Sequence, residues 1–218
     1  LNLDFGPFVT LLLSICFGLL LAWVGKKMID RVQVDPEADQ EFQFASVEKA
    51  FAPMMIFTSC AMAFAHGSND VANGIGPLAA VASLVKSGGE VAQQADLPLW
   101  ILILGGAGIV LGLATLGYRV MRTIGSEITS LTPSRGYCAT LAAATTVVLA
   151  SKTGLPVSTT HIAVGAVMGV GFTSGMAAVD LRVIRDIVAS WVITIPAGAI
   201  MGMLFFFTLK GIFGVSCP

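Results

Sequence analysis

The chain has 218 residues, of which 56% are hydrophobic and 11% are charged, and its formal net charge is -1. A soluble domain carries about 25% charged residues, so this composition indicates an integral membrane protein. A net charge so close to zero offers no basic surface for nucleic acid. The four cysteines lie far apart and form neither a metal-binding motif nor a disulfide framework.

The first apolar run covers residues 8–24, contains no charged residue and is followed by Lys26 and Lys27. Its length is about the minimum for a helix that crosses ~30 Å of hydrocarbon. A secretory signal peptide fits less well, because its basic residues precede the apolar run. We therefore expect a first transmembrane helix at residues 1–25 and a polar loop at residues 26–49.

Four further apolar blocks follow, at residues 50–84, 99–120, 136–172 and 187–209. As straight helices, the first and third blocks would be about 52 to 56 Å long, far more than the ~30 Å hydrocarbon core. Polar residues interrupt both blocks, at 66–73 and at 152–161.

These features predict an all-α polytopic membrane protein, with spanning helices plus broken or re-entrant half-helices. Residues 50–213 would form one unit with a broken-helix motif at each polar interruption. The sequence leaves open whether each interruption lies in a crossing helix or at the tip of a re-entrant hairpin.

Irregular backbone at membrane depth survives only where it is buried in protein or lines a watery cavity. Each break therefore predicts a cavity. Ser68, Asn69 or Asp70 is expected to cap the half-helix after the first break, and Ser158 or Thr159 the one after the second. Two helix N-termini would then point into the interior, where their free N–H groups favour an anion.

Asp70 is the most informative residue of the first break. A carboxylate with apolar sequence on both sides is energetically costly in a membrane, so it indicates a functional site by default. Simple helix capping is the alternative role for this side chain. Asn69 and Asn73 are four residues apart and share one helix face. Together the three side chains offer the hard oxygen ligands that Na⁺ prefers.

Hydroxyl groups dominate the second break, where Ser158, Thr159 and Thr160 are consecutive. Hydroxyls donate to an oxyanion or accept toward a cation. The only two histidines, His66 and His161, lie one at each break. Each is either a structural residue or a functional one. An anion beside a cation suggests coupled transport.

Three stretches carry a family resemblance: AHGSNDVANGIGPLAAV at 65–81, EITSLTPSRG at 127–136 and TGLPVSTTHIAVGAVMGVG at 153–171. In this order they resemble the signatures of inorganic phosphate transporters of the PiT family. The resemblance extends over residues 47–207. Full-length members carry the paired motifs twice, in two halves of inverted topology, and this chain resembles the C-terminal half.

The resemblance implies a cation-coupled symporter of inorganic phosphate that is not an enzyme, with Na⁺ or H⁺ as coupling ion and no other cofactor. It implies a substrate site of Ser68, Asn69, Asp70, Ser158, Thr159 and Thr160, and a sodium site of Asn69, Asp70 and Asn73. The implied partners are phosphate, membrane lipid, and either the other half of the transporter or a second copy in a homo-oligomer. The implied location is a bacterial inner membrane.

Two alternatives stay open at this point. The chain could be an uncoupled phosphate-binding channel or sensor. It could also be a membrane-embedded hydrolase, with Ser158 as nucleophile, His161 as base and Asp70 as the residue that orients the base, although no GxSxG elbow is present.

Overall fold

The computed structural model describes residues 6–32, 44–89 and 97–214, and within these ranges all regular secondary structure is helical. The predicted all-α class is confirmed. The helices are α1 (Pro7–Ile29), α2 (Ala45–Lys86), α3 (Leu99–Glu127), α4 (Pro133–Lys152), α5 (Thr159–Phe172) and α6 (Leu181–Phe213). α3 becomes π-helical at Leu113–Gly117 and Thr123–Glu127, and a 3-10 turn at Met176–Ala178 precedes α6.

Four of the described helices, α1, α2, α3 and α6, are long and apolar enough to cross a membrane, and α5 is a shorter apolar helix. α1 continues past its predicted end to Ile29, because Lys26 and Lys27 lie in its last turn, where basic side chains stabilise a helix. The predicted polar loop is shorter than expected, since its last residues begin α2. Its residues 33–43 lie outside the described ranges.

α2 and α4 pack along each other and run in the same direction. Near their starts, the Glu48 carboxylate accepts hydrogen bonds from the backbone N–H and the hydroxyl of Ser134, at 2.8 and 2.6 Å. Farther along, the Thr58 and Thr140 hydroxyls are 2.6 Å apart. Apolar contacts then continue among buried residues of both helices, namely Met62, Ala65, Ala143, Ala144 and Val147. α4 therefore ends beside the middle of α2.

At the second predicted break the chain leaves α4 after Lys152 and begins α5 at Thr159, and the residues between them form the tip of a helical hairpin. Gly154 ends α4 with φ 70°, while its own N–H bonds to the Ser151 carbonyl and the Leu155 N–H bonds to the Ala150 carbonyl. This pattern is a Schellman motif, in which glycine takes the left-handed position without a steric penalty. α5 then returns along α4, with Val164 and Val167 of α5 in one cluster with Ala139 of α4.

The first predicted break, residues 66–73, is wrong. α2 is continuous over the 42 residues of Ala45–Lys86, which makes it about 63 Å long. Consequently Ser68, Asn69 and Asp70 are interior helix residues and none of them caps a half-helix. The prediction of two helix N-termini at the site is corrected to one, at the start of α5.

The helix continues through this polar segment because no residue in it forces the backbone out of helical geometry. Gly67, Gly74 and Gly76 all keep negative φ angles, and backbone N–H and C=O groups stay paired inside the helix. Pro77 is the local exception. It has no N–H, so the Asn73 carbonyl lacks its usual helical donor.

Candidate functional site

The site begins with one polar face of α2. His66, Asn69, Asp70 and Asn73 are spaced at i, i+3, i+4 and i+7, which places them on the same side of a helix. Asn69 is buried, whereas His66 and Asp70 side chains are 40% and 36% exposed. This face is therefore fixed by a rigid helix yet remains open to a ligand.

The hairpin tip between α4 and α5 lies against this face. The side-chain amide nitrogens of Asn69 and Asn73 donate to the Val157 carbonyl, at 3.0 and 3.2 Å. The Thr159 hydroxyl donates to Asp70 Oδ1 at 2.7 Å. These three hydrogen bonds join segments that are more than 80 residues apart in sequence.

Asp70 is engaged through both carboxylate oxygens. While Oδ1 accepts from buried Thr159, Oδ2 lies 2.7 Å from His66 Nε2, one helical turn away. Each carboxylate oxygen has about two lone-pair sites, so each retains acceptor capacity for a ligand. His66 and Thr159 thus orient the carboxylate without saturating it.

The two segments border an open cleft of about 380 Å³, lined by Asp70, Asn73, Pro156, Val157, Ser158, Thr159 and Thr160. One wall is the carboxylate and amide face of α2. The opposite wall is the start of α5 and the residues just before it. The cleft therefore places a negative group across from a helix N-terminus.

The start of α5 is a well-formed helix N-terminus. Ser158 is its N-cap, and the Ser158 hydroxyl accepts from the His161 backbone N–H at 3.3 Å, as the sequence predicted. The N–H groups of Thr159 and Thr160 have no intrahelical partner, since they belong to the first turn. With the positive end of the helix dipole, they make this end of α5 suitable for an oxyanion.

Four predicted site residues do not line the cleft. Asn69 and His66 still contact residues that line it, namely Val157 and Asp70, whereas the side chains of Ser68 and His161 lie elsewhere. Ser68 is exposed and lies on a different face of α2, because adjacent helix residues differ by about 100° in direction. The His161 ring packs edge-on against the Trp191 ring of α6, with centroids 3.8 Å apart. Only the backbone of His161 takes part, through its bond to the Ser158 cap.

The structure adds one group that the sequence analysis missed, the backbone carbonyl of Val157. Residue identity gives no sign of a carbonyl that binds a distant helix, so nothing in the local sequence identifies it. Outside the cleft, the contact of Trp191 with His161 was also not predicted, because a spacing of 30 residues carries no motif.

The catalytic triad required for the hydrolase alternative is not assembled. Ser158 Oγ accepts a bond from the His161 backbone instead of pairing with the imidazole. Asp70 pairs with His66, while the His161 ring contacts Trp191. A nucleophile, base and orienting carboxylate must be in mutual hydrogen-bond reach, and these three residues are not.

Comparison with known proteins identifies relatives of this chain. The model of the phosphate transporter family matches residues 6–202. The relative named "Putative phosphate permease" in Haemophilus influenzae is 56% identical over 170 residues, which cover 78% of this chain and 40% of that protein. "Inorganic phosphate transporter 2-1, chloroplastic" of Arabidopsis thaliana is 49% identical over 164 residues, or 75% of this chain and 28% of that protein.

A solved structure titled "The sodium-dependent phosphate transporter" superposes with a TM-score of 0.78 and 40% identity, over 97% of this chain and 52% of that chain. The chain thus spans about half the length of that structure, and less of the two relatives. The family is one of transporters, which agrees with the prediction that the chain is not an enzyme. This chain is a multi-pass membrane protein that belongs to the phosphate transporter family.

Proposed function

We propose that the chain is one half of a cation-coupled inorganic phosphate symporter whose substrate binds in the cleft between α2 and the hairpin tip. The observation that carries this proposal is the meeting of the free N-terminus of α5 with the Asp70 carboxylate across one cleft. A carboxylate opposite an anion site is unfavourable unless a proton or a cation lies between them.

Inorganic phosphate fits both walls of the cleft. The N–H groups of Thr159 and Thr160 and the Thr160 hydroxyl can donate to its unprotonated oxygens. HPO₄²⁻ and H₂PO₄⁻ also carry O–H groups that can donate to Asp70. Sulfate has no such donor at neutral pH, so the cleft is expected to discriminate between two ions of nearly the same size.

The coupling cation is proposed to lie at Asp70, beside the amide oxygens of Asn69 and Asn73. Because Pro77 leaves the Asn73 carbonyl without its helical donor, this oxygen is a further candidate ligand. The described residues contain no group of three or more His, Cys, Asp and Glu side chains that could hold a metal ion. One carboxylate with neutral oxygens suits Na⁺, a hard monovalent cation.

Protons are the alternative coupling ion, and the His66–Asp70 pair is where one would be held. The name of the superposed sodium-dependent transporter favours Na⁺. Uptake under an imposed Na⁺ or H⁺ gradient distinguishes the two ions.

A second half is proposed to complete the transporter. The matched proteins are longer than this chain, and α1 and α6 have no buried residues in their described lengths. Transporters of inverted-repeat architecture bind substrate between their repeats. Either another repeat or a second copy of this chain would supply the other side of the substrate site. The proposed location of the complete transporter is a bacterial inner membrane.

The test is uptake of labelled phosphate into proteoliposomes, by this chain alone and joined to a second repeat, under imposed Na⁺ or H⁺ gradients. Uptake driven by one of the gradients, with competition by arsenate and little by sulfate, is the expected result. Flux that ignores both gradients would indicate a channel, and equal competition by sulfate would refute the role of Asp70 at the anion.

A further inference from the structure

The Val157 carbonyl receives two side-chain donors from the same helix. Asn69 and Asn73 lie one turn apart on α2, and each places its amide nitrogen within 3.2 Å of this oxygen. A carbonyl oxygen only accepts hydrogen bonds, so the nitrogen of each amide, and not its oxygen, must face Val157. The two amide oxygens are therefore directed elsewhere.

The position of this carbonyl determines where α5 begins. Val157 immediately precedes Ser158, the N-cap of α5. Because the peptide unit is planar, fixing the Val157 C=O also fixes the Ser158 N–H and the direction in which the chain enters the helix. At the other end of the tip, the chain leaves α4 through Gly154, which adopts the left-handed conformation.

We propose that the amide nitrogens of Asn69 and Asn73 form a two-donor clamp on Val157 that positions the first turn of α5 for phosphate. The proposal rests on the proposed phosphate site, and it gives the asparagines a task separate from any cation contact through their oxygens. Both are positioning residues with respect to phosphate, since they act through Val157 and Ser158.

A shared acceptor makes the two asparagines partly redundant. Removing one amide leaves the other donor on the same carbonyl, whereas removing both leaves the carbonyl without a partner from α2. Two side chains that act through one group are expected to show strong non-additivity in a double-mutant cycle. If the two asparagines acted only as independent ligands of a cation, their substitutions would not show this non-additivity at the hairpin tip.

The first experiment is hydrogen–deuterium exchange of the purified chain in lipid nanodiscs, without phosphate, for Asn69→Ala, Asn73→Ala and the double variant. The reporters are the His161 and Ile162 amides, which bond to Ser158 in the first turn of α5. Each single variant is expected to raise their exchange rate about 2-fold or less, and the double variant roughly 10-fold, the scale of one to two lost hydrogen bonds.

Two controls accompany this cycle. Ser68→Ala changes a neighbouring residue on another face of α2 and should leave exchange at the tip unchanged. The start of α4, held by Glu48 through Ser134, should exchange at the same rate in all variants, which verifies that the fold is intact. Additive effects of the two single variants, or no effect of the double variant, would overturn the clamp.

The second experiment separates the amide nitrogen from the amide oxygen. Asn69→Asp and Asn73→Asp keep an oxygen for a cation but replace the donor with a carboxylate that repels the Val157 carbonyl. The reporter amides at the tip should therefore exchange at least as fast in the Asp double variant as in the Ala double variant, while cation binding persists. Tip protection retained by the Asp double variant would contradict the clamp.

The proposed function is tested separately in the same material. Asp70→Asn removes the carboxylate but keeps both asparagines, so it should abolish coupling to the cation while the Ala cycle remains non-additive. A normal cation dependence in Asp70→Asn would refute the proposed function and leave the clamp standing. Additivity in the cycle would refute the clamp and leave the proposed function standing.

Discussion

Residues 66–73 and residues 152–161 both place polar side chains within apolar sequence, yet the first segment stays helical and the second forms a hairpin tip. The first has its polar side chains on one face, at positions 66, 69, 70 and 73. The second contains Gly154 with φ 70° and then Pro156. Polarity alone does not end a helix, whereas a left-handed glycine followed by proline does.

Because of this difference, the two segments present different chemical groups to a ligand. The continuous helix presents side-chain groups, a carboxylate and two amides, from a rigid surface. The hairpin tip presents backbone groups, because only a chain that leaves and re-enters a helix exposes free N–H donors. A site for an oxyanion together with a cation uses both kinds of surface, and each segment here supplies one.

The largest effect is expected at Asp70, the charged member of the helical wall. Asp70→Asn keeps an acceptor for the Thr159 hydroxyl but removes the charge, so cation affinity should fall roughly 10- to 150-fold, the range for bonds to charged groups. Cation-dependent phosphate uptake, normalised to the protein in the membrane, measures this change. An unaltered cation dependence would reduce the polar face of α2 to a packing surface.

Asp70→Glu is the matched control for this experiment. It keeps the charge but moves it by one methylene, and a displacement of about 1 Å can cost on the order of 100-fold in rate. Partial uptake that still depends on the cation is the expected result. If Glu and Asn behaved alike, position and not charge would be the property that matters at Asp70.

The two threonines at the start of α5 test the hairpin wall. Thr160 lines the cleft, so Thr160→Val should weaken phosphate binding by about 1 to 3 kcal/mol without changing cation affinity. Buried Thr159 donates to Asp70, so Thr159→Val should change cation affinity as well. Titration of phosphate and cation with both variants measures these effects, and unchanged affinities in both would limit the threonines to structural roles.

Substitution of Gly67 in the first segment and of Gly154 in the second tests why only the second segment leaves the helix. An added Cβ meets no atom within 4 Å at either Gly67 or Gly154, so only the backbone conformation differs between them. Gly154→Ala should destabilise the protein by about 1 to 2 kcal/mol, because its φ is left-handed. Gly67→Ala should stabilise it by up to about 1 kcal/mol, because Gly67 is a helix interior residue.

Thermal unfolding in one detergent compares the two glycine variants directly. Opposite shifts of the midpoint are expected, with the larger change at Gly154. Shifts of the same sign would mean that the backbone conformations of the two segments are more alike than their φ angles indicate.

Much of the architecture follows from local sequence. Hydropathy predicts the all-α class and the spanning helices, and Gly154, Pro156 and Ser158 together predict a break with a capped helix after it. The continuous α2 was also predictable, because residues 66, 69, 70 and 73 have helical spacing. The length of the apolar block was the misleading signal, since a helix longer than the hydrocarbon core can tilt or extend beyond it.

The clamp on Val157 was not predictable from sequence. Its donors and acceptor are 88 and 84 residues apart, and the acceptor is a backbone carbonyl, which every residue possesses. The pairing of Thr159 with Asp70 is equally non-local. Such contacts depend on the parallel packing of α2 and α4, which no local pattern specifies.

The smallest effect is expected at Ser68, which the sequence grouped with the site because it is adjacent to Asn69. In a helix, adjacent side chains point about 100° apart, so Ser68 lies about 200° around α2 from Asp70. Its side chain is exposed and does not line the cleft. Ser68→Ala should therefore change stability by no more than about 0.5 kcal/mol and leave phosphate affinity and cation dependence unaltered. The variant is measured alone and in the chain joined to a second repeat. A large loss of uptake only in the joined protein would mean that the second repeat contacts this face of α2, and the site would then extend around the helix instead of occupying one side of it.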